Sequence, residues 1–142
     1  MKTLTGGCHC GKIKYNVNVD ESQKVVVSDC SCTMCTKKGI VHLMVDPKDF
    51  TPVSGCNEAS TEDMALYTFG SLEAKHRFCK VCGIHSFYRS KSNPTKITVN
   101  LRCLDCFRTD RKNYGLPFPV ELVYFDGRDH YDELLKQARE GE

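Results

Sequence analysis

At 142 residues, 40% of them hydrophobic, the chain is expected to form one compact domain with its own core, spanning residues 1–142. Its 20 Lys and Arg against 18 Asp and Glu give a formal charge of +2 with no basic block, which argues against nucleic acid or a membrane surface as partner. No apolar stretch of signal-peptide length precedes Cys8 and no later segment reaches the length of a membrane span, so a cytoplasmic or nuclear setting is expected.

The first element in chain order is a strand from Lys12. Ile13, Tyr15, Val17 and Val19 alternate with Lys14, Asn16, Asn18 and Asp20, the pattern of a half-buried strand. Short apolar runs follow at Val25–Val27, Ile40–Val45, Ala65–Phe69, His85–Arg89, Ile97–Leu101 and Val120–Phe125. Turn signals separate them at Asp20-Glu21-Ser22, Pro47, Ser54-Gly55, Gly70-Ser71, Ser92-Asn93-Pro94, Pro117–Pro119 and Asp126-Gly127. The reading is seven or eight strands in a mostly β fold of antiparallel sheets. A single helical turn is expected at Thr33–Lys38. A short C-terminal helix is expected on the stripe Tyr131, Leu134, Leu135 and Ala138, capped by Asp129. The polar stretch from Gly55 to Asp63 reads as a mobile loop.

Seven of the ten cysteines fall into three clusters, Cys8-His9-Cys10, Cys30-Ser31-Cys32-Thr33-Met34-Cys35 and Cys79-Lys80-Val81-Cys82. With no secretion signal, thiolate–metal sites are favoured over five disulfides. A structural zinc is closed by four protein ligands, and a catalytic zinc keeps a vertex open. Seven sulfurs divide as four plus three. Cys8 and Cys10 combine with Cys79 and Cys82 as a closed staple, while Cys30, Cys32 and Cys35 grip a second zinc from one short stretch and leave a position free. The alternative is a second structural zinc closed by His42, His85, Cys103 or Cys106.

The remaining candidates read more simply. Cys103 and Cys106 form another C-x-x-C without a thioredoxin-like βαβ setting, so a buried thiol beside an exposed one is the plainer reading. Cys56 reads as an unengaged surface thiol. His9 should point away from the metal of its neighbours. His76 and His130 read as surface or packing residues. Arg102 and Asp105, after the Ile97–Leu101 strand, are candidates for a substrate pocket, and Tyr114–Phe118 for a lid over the core.

Taken in order and spacing, these motifs resemble the glutathione-dependent formaldehyde-activating enzyme family, which includes the centromere protein V type of domain. The resemblance runs from about Thr5 to about Val123. It rests on Gly6-Gly7-Cys8-His9-Cys10-Gly11, on Cys30-x-Cys32-x-x-Cys35, on Phe78-Cys79-x-x-Cys82-Gly83 and on a weaker echo in Val99–Asp105. It implies a β-tent fold, a structural zinc on Cys8, Cys10, Cys79 and Cys82, and a second, activity-associated zinc on Cys30, Cys32 and Cys35. The implied reaction is the reversible joining of glutathione and formaldehyde as S-(hydroxymethyl)glutathione, a carbon–sulfur lyase chemistry. The family often carries His between the first two cysteines of the middle cluster and Arg after the third. Here Ser31 and Thr36 stand there, with Lys37 and Lys38 as substitutes for the missing cation.

Two functions are expected from this pattern. One is a zinc-dependent carbon–sulfur lyase acting on S-(hydroxymethyl)glutathione or a related thiol conjugate, with glutathione or a similar small thiol as partner. The other is a non-enzymatic zinc-binding scaffold for a protein partner.

Overall fold

The computed structural model describes residues 1–128. The expected helix over Tyr131 to Ala138, and His130, lie outside the described residues. Ten strands and one α-helix, with three short 3-10 turns between them, make up the described fold: β1 (Lys2–Gly7), β2 (Lys14–Val19), β3 (Val25–Cys30), α1 (Thr33–Lys38), β4 (Val41–Val45), β5 (Phe50–Ser54), β6 (Met64–Tyr67), β7 (His76–Cys79), β8 (Phe87–Tyr88), β9 (Ile97–Asn100) and β10 (Val120–Phe125).

The strands form three sheets, in the orders β1-β2-β5, β10-β3-β4-β9-β8 and β6-β7. Every pairing is antiparallel except that of β10, which runs parallel to β3 from Val120↔Val25 to Phe125↔Cys30. Hydrophobic alternation marks a strand but carries no information on its direction, which explains why the sequence suggested antiparallel pairing throughout.

Three strands escaped the sequence reading. In β1 only Leu4 and Gly6 turn inward, too few for a periodic signal. In β5 Pro52 argues against a strand, yet β5 is an edge strand of its sheet, where a missing N–H does least harm. Strand β7 is only four residues long and runs directly into the third cysteine cluster at Cys79. The Val25–Val27 run is the beginning of a longer strand that delivers Cys30 at its end.

The core lies between the first two sheets. Ile13 and Val17 are fully buried, and Tyr15, Phe50 and Phe87 pack with ring centroids 4.8–5.6 Å apart. The Tyr15 hydroxyl donates to the Ser86 carbonyl at 3.0 Å, pinning one sheet to the turn before β8. The third sheet is joined to the second by the paired backbones of Lys75 and Arg89. Leu116 and Phe118 are buried in the core and Tyr114 stacks on Phe107, as expected of a covering segment.

Candidate metal centres

The first cysteine group is assembled from two turns far apart in sequence. Strand β1 ends at Gly7, so Cys8 and Cys10 sit in the turn before β2 rather than on an extended segment. Gly7 is required there, because a Cβ would lie 2.0 Å from the Ile13 carbonyl oxygen. That same carbonyl accepts from the Cys8 amide at 3.1 Å, and the Ile13 amide donates back to the Cys8 sulfur at 3.2 Å. The second turn leaves β7. Gly83 closes it by donating to the Cys79 carbonyl at 2.9 Å, and the Val81 amide points at the Cys79 sulfur at 3.4 Å.

These turns place the sulfurs of Cys8, Cys10, Cys79 and Cys82 all within 4.8 Å of one another. Cys8 to Cys10 and Cys10 to Cys79 are each 3.6 Å. Four sulfurs placed tetrahedrally about 2.3 Å from one ion stand about 3.8 Å apart, so the spacing fits a metal and is far too long for a disulfide. All ten cysteines are free thiols. Burial raises the Cys82 thiol, but the backbone amides of Cys10 and Ile84 and the thiols of Cys79 and Cys8 outweigh it and bring Cys82 down to about 6. The Lys12 amide lowers the Cys10 thiol, yet burial and hydrogen bonds with Cys8, Cys79 and Cys82 push it up to about 11. Four thiols crowded together cannot all ionise unless a cation replaces their protons.

The second group comes from the end of β3 and the start of α1. Cys30, Cys32 and Cys35 are all buried, with their sulfurs within 4.8 Å of one another. Cys32 is the N-cap of α1, and its sulfur accepts from the Cys35 amide at 3.3 Å. Gly39, at φ 68°, ends the helix in the left-handed conformation that glycine tolerates. Hydrogen bonds with Cys30 and Cys35 push the Cys32 thiol down to about 2, while hydrogen bonds with Cys30 and Cys32, together with burial, raise Cys35. The donor set is suited to a soft metal ion.

Beyond the three sulfurs stand aromatic and histidine rings. The Nε2 of His42 on β4 lies 3.5 Å from the Cys35 sulfur and 3.3 Å from the Tyr88 hydroxyl. His76 stacks on Tyr88 at 4.7 Å, and His85 lies 4.9 Å from the same ring. Burial lowers all three histidines, His76 to about 4 and His85 to about 3, so they are neutral at pH 7.

Two cavities meet at the trio, and Cys30 and Cys35 line both. The first, about 330 Å³, also contains Cys32, Met34, Met44, Phe69, Tyr88 and Lys91. The second, about 590 Å³, contains Asp29, Ser31, Thr36, Arg102 and Asp126.

The model of the family described as glutathione-dependent formaldehyde-activating enzyme matches residues 3–115. The chain belongs to that family. A crystal structure of a Rhodobacter sphaeroides protein is also similar, with a TM-score of 0.65 and 28% identity over 84% of this chain and 100% of that one.

For this family member, the structure brings the seven cysteines together as four and three. His42 touches Cys35 but falls outside the set of donor atoms that all lie within 4.8 Å of one another, and His85, Cys103 and Cys106 fall outside it too. Cys103 instead faces the His85 carbonyl at 3.8 Å, and both members of its C-x-x-C pair are half-buried, not one buried and one exposed. Cys56 is buried, not a surface thiol, and lies 3.2 Å from the carbonyls of Lys14 and Ser54. Its polar loop is anchored as well, since Arg89 binds both carboxylate oxygens of Glu58 at 3.0 and 3.1 Å.

The expected substrate-pocket pair divides. Arg102 lines the larger cavity, whereas the Asp105 carboxylate turns to Thr5 and accepts from its hydroxyl at 2.5 Å. Lys38 does not supply the missing cation, because its Nζ sits 4.5 Å over the Phe78 ring, and Lys37 is exposed on the last turn of α1. His76, read as a surface or packing residue, is buried and lines the cavity. A lone histidine carries no spacing signal, so only strand pairing reveals it.

Proposed function

We propose that the protein is a zinc-dependent carbon–sulfur lyase acting on the hydroxymethyl adduct of a thiol, S-(hydroxymethyl)glutathione or a related conjugate. Cys8, Cys10, Cys79 and Cys82 would hold a structural zinc, and Cys30, Cys32 and Cys35 an activity-associated one. Support comes from the family membership and from one observation above all: three buried sulfurs converge beside an open cavity, and among the described residues no fourth Cys, His, Asp or Glu completes their set. The same observation weighs against the competing reading of a scaffold with two closed sites.

Cys30, Cys32 and Cys35 would hold the zinc, which would supply a positive centre that favours the deprotonated form of an added thiol. Three anionic sulfurs leave little Lewis acidity, so orientation contributes more than activation of the aldehyde. The balance of the reaction is simple. In cleavage the adduct's O–H proton leaves, its oxygen forms the C=O bond, the C–S bond breaks, and sulfur keeps the electron pair. The released thiol and formaldehyde recombine by the reverse path.

The chain's own residues would do three things. Cys30, Cys32 and Cys35, fixed by the end of β3 and the first turn of α1, set the position of the reacting sulfur. The apolar wall around them excludes water. His42 and Tyr88, hydrogen-bonded to each other beside Cys35, offer a place for a proton to pass.

Exchange between thiol, formaldehyde and adduct, followed by NMR, tests the proposal. Wild-type protein loaded with zinc is expected to accelerate exchange and Cys32→Ser to abolish the acceleration while the tetrad metal is retained. Equal rates for the two proteins would end it.

A further inference from the structure

We propose that the thiol accepted at the Cys30–Cys32–Cys35 site carries an uncharged, apolar substituent, so that the substrate class is the hydroxymethyl adduct of a hydrophobic thiol. This rests on the open-site reading above and narrows it. The wall that a bound thiol would meet is built from Met34, Met44, Phe69, Val123, Tyr124 and Phe125. Its uncharged polar members are Ser28 on β3, the neutral rings of His42 on β4 and His76 on β7, and serines and Asn93 from the two loops after β6 and β8.

Charge is decisive. Glutathione brings two carboxylates and one ammonium group. Among the described residues Lys91 is the single Lys, Arg, Asp or Glu in this cavity's lining, and its Nζ is already 3.6 Å from the Glu73 carboxylate. The neighbouring cavity offers no better seat, because its Arg102 is outnumbered by Asp29 and Asp126. The sulfur trio adds further negative charge once it is deprotonated. Carboxylates placed in the first cavity would lose water and find its one cation already paired with Glu73, and those in the second would face two aspartates for one arginine, so such burial is unfavourable. Apolar surface gains by entering the same space.

The position expected to carry a cation after the third cysteine has Thr36, which lines the polar cavity. Of the lysines that follow it, Lys38 lies over the Phe78 ring and Lys37 is exposed. Ser31, where the family often has His, also faces the polar cavity. Neither Ser31 nor Thr36 carries a positive charge, and the Ser31 hydroxyl already donates to the Asp126 carboxylate at 3.3 Å.

The test uses the intact protein loaded with cobalt(II) at both sites, and follows the thiolate-to-cobalt absorption as three thiols are titrated. The probes are glutathione, its diethyl ester, which removes the carboxylates alone, and 2-phenylethanethiol. We expect 2-phenylethanethiol to bind at least tenfold more tightly than glutathione, with the ester between them. Met44→Arg, a change at a half-exposed position of the wall, is expected to shrink that ratio at least threefold.

Glutathione binding as well as or better than the other two overturns the proposal, as does an ester that equals or surpasses 2-phenylethanethiol. A ratio unmoved by Met44→Arg overturns it too. If no thiol changes the spectrum of the cobalt-loaded protein, the open-site reading itself fails and takes this inference with it. A preference for glutathione would leave that reading standing.

Discussion

His42 and Cys35 are brought to within 3.5 Å, Nε2 to Sγ, by the turn from α1 into β4, and the histidine's other neighbour is the Tyr88 hydroxyl at 3.3 Å. His42 is 7% exposed, so this contact lies inside the protein, at the wall of the first cavity. A sulfur ligand held by an outer partner presents its lone pair in a fixed direction.

Removing that partner should therefore loosen the trio and spare the tetrad. His42→Ala is expected to weaken metal binding at the trio by about 10–100-fold. Competition with a chromophoric chelator measures it, and the second, tighter phase assigned to Cys8, Cys10, Cys79 and Cys82 should stay in place.

The two sites should differ in what they do for the fold. Cys79 is fully buried and joins turns far apart in the chain, whereas the trio is local. Cys79→Ser is expected to abolish cooperative thermal unfolding. Cys32→Ser is expected to lower bound zinc from two ions to one, read by elemental analysis, while retaining a cooperative transition. Structural zinc contributes folding energy directly, which is the source of the difference.

Gly7 permits the close passage of the chain over Ile13. Gly7→Ala would put its Cβ 2.0 Å from the Ile13 oxygen and break the reciprocal bonds with Cys8. A loss of about 2–4 kcal/mol is expected by chemical denaturation, together with easier chelation of the tetrad metal.

Acid should destabilise the protein through His76 and His85. Burial lowers their folded pKa values to about 4 and about 3, below the ordinary value of 6.5, so the folded state favours the neutral rings. Their neutral-state stability is present in full above pH 6.5 and is lost as pH falls, because the unfolded chain takes up protons that the folded one resists. The pair should cost about 3 kcal/mol between pH 6.5 and pH 5. Denaturation of the zinc-loaded protein at both pH values measures the loss, and His85→Phe should remove about half of this dependence.

Much of this was legible in the chain itself. The alternation from Ile13 to Val19 specified a half-buried strand, and the spacing of Cys30, Cys32 and Cys35 specified a local chelate, because both signals are made by neighbours in sequence. The pairing of Cys8 and Cys10 with Cys79 and Cys82 was also readable, since metal chemistry demands a fourth-ligand count that two separate pairs supply.

What only the folded molecule decided is long-range. Strand β10 joins β3 in parallel and brings Val123, Tyr124 and Phe125 against the trio. Strands β4, β7 and β8 deliver His42, His76 and Tyr88 to the same place, although none of the three has a local pattern that announces it. A sequence records periodicity and ligand spacing because those act between near neighbours. Which walls enclose a reacting atom depends on sheet order and register, and these emerge only when the strands pack.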